Sequence, residues 1–292
     1  MTSASANSVG IIDSGPAVVS KRLQNSITVG VPSIALLGSV AVGVEVTPLA
    51  VLLGVVFFLF SGIGAGIGLH RYFTHHAFVC GPKLRAVLAI LGGSAWQGPI
   101  SQWVADHRRH HRFADTPLDP HSPHWRNEEP PKSVVGGLIH AHLGWMVLGD
   151  VSDPTRYAAD IINDPISNWA SRLYWPIAVV TLIFPAGLGA MIGGQTEALS
   201  CLVFAGFARV AAVQHFTWAI ASAGHRFGEK LPESKDESRN NKMLAVLLLG
   251  EGLHSFHHCN PGLGVNQPEA LDLSGKILKA FERRQWISDL RQ

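Results

Sequence analysis

Charged residues are scarce in this chain of 292 residues: they make up 15% of it, against about a quarter in an ordinary soluble domain. That deficit turns the reading from a solvent-surrounded globule towards a membrane. The near balance of 23 Lys+Arg against 21 Asp+Glu, a net charge of +2, is too mild for a chain that grips nucleic acid through its phosphates. Cysteine is scarce too. Cys80, Cys201 and Cys259 have neither the numbers of a disulfide framework nor the close spacing of a zinc ribbon. The first residues lack the short apolar core and small-residue cleavage site of a secretory signal. No CxxCH haem-attachment motif occurs and no GxGxxG follows a strand pattern, so the chain shows no electron carrier of its own.

Long uncharged runs, by contrast, are present. Residues 27–42 and 49–69 contain no charge and are separated by the short stretch from Gly43 to Pro48; residues 173–192 and 198–224 form a second pair joined through Gly193-Gly194-Gln195. Each run approaches or exceeds the roughly 20 residues that a helix needs to cross a bilayer. The expected fold is therefore an all-α integral membrane protein with four transmembrane helices in two hairpins. Residues 1–26, polar and rich in Ser, Ala and Asn, read as a disordered tail, and 27–292 as one membrane domain. Lys and Arg fall before the first run, between the two pairs and after the last, leaving Arg209 alone inside a run and none in the hairpin loops. The positive-inside rule then makes both termini and the long middle segment cytosolic, in the inner membrane of a bacterium or the endoplasmic reticulum of a eukaryote. Residues 84–104, with Trp96, Gln97, Pro99 and Trp103, suit a helix lying at the interface. Met243 to Leu253 reads as a short helix, Ala270 to Leu290 as an amphipathic terminal helix, and Asp115 to Lys132 as an irregular loop.

Histidine is the outlier, with 15 residues crowded into boxes. His70 and His75 begin where the second run ends; His107, His110 and His111 follow the interfacial segment; His225 sits where the fourth run ends; His254, His257 and His258 follow the short helix. The topology puts all four boxes at one membrane face, as a cytosolic helical cap. On a helix, positions i, i+3 and i+4 share a face, so each HxxHH triplet converges. Adjacent residues differ by about 100°, so the pairs His110–His111 and His257–His258 serve two ions better than one. Nine imidazoles overfill a single coordination sphere, and clustered imidazole suits Zn, Cu, Fe or Ni. His76, His121, His124, His140, His142 and His215 read as ordinary surface or core histidines. Asp106 and Glu251 are candidates to orient imidazoles.

From Val51 to Leu290 the chain resembles the membrane fatty acyl desaturases of the stearoyl-CoA desaturase kind. The resemblance rests on the boxes in order, Asp119-Pro120-His121, His142-Leu143-Gly144-Trp145, Gly250-Glu251-Gly252-Leu253, and Gln97, Trp103 and Trp218. It implies that the nine box histidines hold two iron ions, that O2 is a co-substrate, and that the reaction places a cis double bond, of Δ9 type, in a long-chain acyl substrate such as an acyl-CoA. It further implies that Gln97, Trp103 and Trp218 contact the acyl chain, and that electrons come from a separate ferredoxin, rubredoxin or cytochrome b5 with its reductase. Trp96 and Trp145 are further tunnel or interface candidates, and Arg209 is an intramembrane charge that asks for a partner. One position departs from the family: where it commonly has Asn holding a water on the second metal, this chain has Ala221, one helical turn before His225, with Thr217 a turn further back. A di-iron hydroxylase or ketolase would share the boxes. A metal transporter would instead line mid-membrane with ligands, and these runs hold almost none.

The orientation can be tested by cysteine labelling in sealed vesicles. Positions beside Lys83, Lys132 and Lys235 should label from the cytosolic side and positions beside Thr47 and Gln195 from the other; labelling of Lys132's neighbours from outside would break the common plane on which the boxes depend.

Overall fold

The computed structural model describes residues 9–126 and 129–292, and these are mostly helical. Three helical runs among them are long and apolar enough to cross a membrane: Pro16–Ala41, Pro48–Thr74 and Tyr174–His225. The first, helix α1, opens with Pro at its first turn, where the missing N–H costs nothing. It starts within the expected tail, so that expectation fails from Pro16 onward, and Ile11–Ile12 already pair antiparallel with Val151–Ser152. The reason is tertiary: Lys21 binds Asp106, Arg22 donates to the carbonyls of Leu148 and Gly149, and Asn25 donates to that of Met146. Met1 to Ser8, the rest of that tail, lie outside the described residues.

Helix α2 (Pro48–Ile63) is capped by Thr47, whose hydroxyl accepts from the Ala50 N–H. It continues as a π-helical stretch, Gly64–Thr74. The same Thr47 hydroxyl donates to Glu197 Oε2 at 2.7 Å, which ties the tip after α1 to the tip of the second pair of runs. There the third run is not straight. Helix α5 (the 28-residue Tyr174–Cys201) leaves helical geometry at Gly193 and Gly194, the latter at φ +72°, a conformation that Gly alone adopts freely. The chain then doubles back, so closely that a Cβ on Gly206 would stand 2.9 Å from the Leu182 carbonyl oxygen. Helix α6 (Arg209–Ser222) follows a π-helical stretch at Leu202–Ala208.

The segment expected as one interfacial helix is two. Helix α3 (Pro82–Ser94) and helix α4 (Ile100–Phe113) are separated where Trp96 and Gly98 take positive φ, +54° and +95°. The second His box consequently lies within α4 rather than after it. The last box has a short helix of its own, His254–Cys259 (α7), because Leu249 and Gly250 at positive φ end the preceding turn. The terminal amphipathic helix α8 runs only Leu273–Arg283; beyond it Ile287–Ser288 pair with Val79–Cys80. The described part of Asp115 to Lys132 is irregular, as expected.

Glycines let these elements approach. A Cβ on Gly64 would strike the Leu91 backbone, and one on Gly68 would lie 2.9 Å from the Leu88 carbonyl oxygen, so α3 packs directly against the π-helical stretch. Arg209, 3% exposed, finds its partners at this junction. Its guanidinium donates to the Ser94 carbonyl (2.6 Å), Ser61 Oγ (3.1 Å), the Thr181 carbonyl (3.0 Å) and the Ala205 carbonyl (3.2 Å). One charge thus satisfies the free carbonyl at the end of α3 and ties it to α2 and α5.

Replacing Arg209 by Leu should lower the unfolding free energy by about 2–3 kcal/mol, because it leaves the Ser94 carbonyl only the longer 3.3 Å bond from Ser61 Oγ and removes the side-chain donor to the Thr181 carbonyl, and Arg209→Lys should fall between the two. An unchanged unfolding transition for Arg209→Leu in detergent would show that the guanidinium does not join these helices.

Candidate metal centre

The nine box histidines arrive on four elements. His70 lies in the π-helical stretch after α2, and His75 closes it: its N–H donates to the His70 carbonyl, a step of five residues. In an α-helix, residues five apart point about 140° from each other; the π-type i to i+5 bond brings this pair round to one side, which gives the HxxxxH spacing its physical sense. His107, His110 and His111 project from α4, His254, His257 and His258 from α7, and His225 from a 3-10 turn, Ala223–His225, that follows α6.

Together they form two groups. His70, His75, His107, His111 and His257 make one, and His110, His225, His254 and His258 the other; within each, the candidate donor atoms lie within 4.8 Å of one another. The two adjacent pairs divide as the helical angle requires: His110 and His111 go to different groups, and so do His257 and His258. Nε2–Nε2 separations are 2.9 Å for His70–His257, 3.0 Å for His107–His111 and His111–His257, 2.9 Å for His225–His254 and 3.3 Å for His110–His258.

Outside the imidazoles stands a ring of carboxylates. Asp119 accepts from His110 Nδ1 at 3.0 Å, Asp115 from His225 Nδ1 at 2.8 Å, Asp236 from His258 Nδ1 at 2.7 Å, and Glu251 from His70 Nδ1. Burial pushes Asp119 up, but the charge and hydrogen bond of His110 outweigh it and hold the carboxyl well below its ordinary range; Asp236 stays low in the same way through His258. Most of the imidazoles are depressed in turn, whereas His225 is raised: burial lowers it, but the hydrogen bond and charge of Asp115 outweigh that burial. Burial and then the surrounding imidazoles put His107, His111, His254 and His257 well below the ordinary histidine value. His110 and His258 are lowered by burial even against the pull of their carboxylates. They are therefore neutral at neutral pH.

That combination tests whether a metal fits. In His110 and His258 the proton is committed to the outward nitrogen, so two bare Nε2 lone pairs face each other at 3.3 Å. Such an arrangement is repulsive unless a cation lies between. Two imidazoles at right angles on one ion, each about 2.1 Å from it, stand about 3.0 Å apart, which is the spacing found. His75 Nε2 is also enclosed without a hydrogen-bond partner. The donor atoms of each group, five nitrogens in one and four in the other, lie close enough together that each could hold a metal ion.

The outer carboxylates were only partly legible. Glu251 meets His70 and also accepts from Arg71, which binds Asp272 beyond. Asp106 plays no such part. Adjacent to His107 but turned away from it around α4, it receives Lys21 at 2.8 Å and touches no imidazole. Asp115, Asp119 and Asp236 were not picked out for this role; only Asp119 carried a signal, within Asp119-Pro120-His121. His121 differs from its expected ordinary role, since it stacks on His110 at 4.2 Å and its buried Nδ1 has no partner. His76, His124, His140, His142 and His215 stand outside both groups.

A cavity of about 120 Å³ opens beside the two groups, lined in part by His70, His107, His110 and His254. Gln97, Trp103 and Trp218 are all on its wall. Trp218 Nε1 donates to Gln97 Oε1 at 3.0 Å, and Trp103 stacks on His107 with ring centroids 4.9 Å apart and 14° between planes. Trp145 lines it too, whereas Trp96 is buried against Tyr174 and Val210. Ala221 and Thr217 face the same space; the Thr217 hydroxyl donates to the Val213 carbonyl. Because α6 gives way to a 3-10 turn at Ala223, His225 does not continue the straight helical face expected from Ala221.

A sequence profile described as fatty acid desaturase matches residues 46–279, most of the chain and all the box histidines. The chain belongs to the fatty acid desaturase family. Its similarity to individual desaturase relatives is moderate. A hex-5-enoyl-[acyl-carrier protein] acetylenase of Moorena producens is 40% identical over 202 residues, covering 68% of this chain and 62% of that protein. An sn-1 stearoyl-lipid 9-desaturase of Synechocystis is 32% identical over 212 residues, 70% of this chain and 60% of that protein. A probable acyl-CoA desaturase of Schizosaccharomyces pombe is 31% identical over 240 residues, 80% and 46%. The chain thus spans 46–62% of the length of these relatives.

The division into two groups makes an asymmetric prediction for metal loading. His225→Ala should empty the four-nitrogen group and leave the five-nitrogen group filled, and His75→Ala should do the converse. Loss of all metal from either variant, measured by elemental analysis of folded protein, would mean that the groups do not bind independently.

Proposed function

We propose that this chain is an O2-dependent fatty acyl desaturase that introduces a cis double bond at Δ9 into a saturated acyl chain, presented as an acyl-CoA. In this reading it crosses the membrane four times, the third helical run supplying two crossings, with both termini and the metal centre on the cytosolic side. The observation that carries it is the pair of inward-facing imidazole groups, one held from outside by three aspartates and the other by Glu251 at His70, beside a cavity with tryptophan on its wall.

Two iron ions would be held by His70, His75, His107, His111 and His257 on one side and by His110, His225, His254 and His258 on the other. Iron supplies, with O2 and two electrons, an oxidant able to attack an unactivated C–H bond, which redox-inert zinc cannot do. The chain's own residues do the rest. Glu251, Asp115, Asp119 and Asp236 keep the proton on Nδ1 and so present Nε2 inward. Trp103, stacked on His107, forms the wall against which methylenes would lie next to the donor groups. The Trp218–Gln97 hydrogen bond fixes a second wall and satisfies both polar groups, so that apolar chain meets no bare donor. Electrons come from a separate partner, a ferredoxin, a rubredoxin or cytochrome b5 with its reductase. Of the relatives, one is named for an acyl-carrier-protein substrate, one for acyl-CoA and one for a lipid; acyl-CoA is the carrier proposed here.

Expression in a host with a known saturated pool, followed by gas chromatography and mass spectrometry of its fatty acids, tests this directly. A new cis mono-unsaturated acid with its double bond at carbon 9 is expected, and none with His107→Ala or His257→Ala. A hydroxylated product in place of an alkene would overturn the reaction assigned.

A further inference from the structure

Among the histidines outside the metal centre, two meet each other. His142 belongs to the π-helical stretch His140–Gly144 and His215 to α6, and His142 Nε2 stands 3.0 Å from His215 Nδ1. Ser222, further along α6, fixes the tautomer of His142. Its hydroxyl donates to the Trp218 carbonyl at 3.0 Å, so its oxygen accepts from His142 Nδ1, also at 3.0 Å. The His142 proton is thereby held on Nδ1, and the Nε2 lone pair is turned to His215. Neither imidazole lines the cavity, but both meet the ring of Trp218, which does. Their centroids lie 6.0 Å (His142) and 5.4 Å (His215) from it, each ring edge-on. His215 is exposed and His142 partly so. Along the helix, His215 stands about 15 Å from His225, by the rise of the residues between them.

We propose that His142 and His215 form a further metal site, which takes a divalent transition ion such as zinc and is separate from both histidine groups of the centre. Two imidazole nitrogens at right angles on one ion, each about 2.1 Å from it, stand about 3.0 Å apart, the spacing found in this pair. His142 is prepared for the role. A ligand imidazole ordinarily donates its other N–H to an oxygen, which fixes ring and tautomer, and Ser222 Oγ is that oxygen. His215 has only to carry its proton on Nε2 instead of Nδ1. That change of tautomer leaves the ring neutral, and the exposure of His215 places the displaced N–H outside the protein. Two neutral imidazoles bring no charge, so water fills the remaining positions and the ion exchanges with solution, unlike one in the enclosed centre. Nitrogen sites of this kind favour copper and zinc over manganese and ferrous iron. A bound ion would brace the outer side of Trp218, whose Nε1–H holds Gln97 on the cavity wall. The site stands apart from the acyl-substrate reading.

The test is equilibrium dialysis of the iron-loaded, full-length protein in detergent against Zn2+, with zinc and iron both counted by elemental analysis. The wild-type protein should take up zinc while keeping its iron. His142→Ala and His215→Ala should each bind one zinc fewer with iron unchanged, and Ser222→Ala should bind that zinc about tenfold more weakly. Cu2+, which quenches indole fluorescence at short range, supplies a second measurement. It should quench the wild-type protein in a saturable step that Trp218→Phe and His215→Ala both lack. Equal zinc uptake by the wild-type protein and by the folded double variant His142→Ala with His215→Ala overturns the proposal and leaves the pair a simple hydrogen bond. Zinc gained only as iron is lost overturns it as well, since the ion then lies in the centre.

Discussion

At His110 and His258, two imidazole lone pairs are held 3.3 Å apart inside the protein, each ring clamped from behind by an aspartate. Neither ring can turn to relieve the repulsion without breaking a buried, charge-assisted hydrogen bond, and burial keeps both neutral. The arrangement is tolerable only around a cation, so the rest of the centre is shaped by the need to hold it. Four carboxylates serve the imidazoles from loops and turns far apart in sequence: Asp115 and Asp119 after α4, Asp236 before the last box, and Glu251 just ahead of α7. Because Glu251 leans on Arg71 and Arg71 on Asp272, the C-terminal helix α8, which Asp272 caps, is tied to His70.

Rigidity on the membrane side comes from different chemistry. The helices there have few polar groups to spend on contacts, and their close approach depends on small residues: Gly64 and Gly68 against α3, Gly189 and Gly206 where the third run doubles back. Arg209 is the exception, and its partners are carbonyls and a hydroxyl rather than a carboxylate. A guanidinium that takes up the carbonyl at the end of α3 and another within α5 does in one side chain what water does at a solvated helix end. Two of the three π-helical stretches among the described residues adjoin these features: one carries His70, and one immediately precedes Arg209.

Sequence alone determined the elements whose signal is local. Uncharged runs give long apolar helices because backbone groups in hydrocarbon must bond within their own segment; Gly43 to Pro48 and Gly193-Gly194 interrupt them for conformational reasons; and HxxHH on a helix converges by arithmetic. That adjacent histidines serve different groups followed from the same angle. Tertiary structure decided what depends on partners distant in the chain. Residues 16–26 look like a polar tail until Lys21, Arg22 and Asn25 meet Asp106 and the Met146–Gly149 segment. Asp106 looks like a support for its neighbour His107, but faces α1 instead. Asp115 and Asp236 support imidazoles 110 and 22 residues away, and no spacing rule reaches that far. Periodicity fixes which way a side chain points from its own helix; which side chain meets it from another is set only when the helices pack.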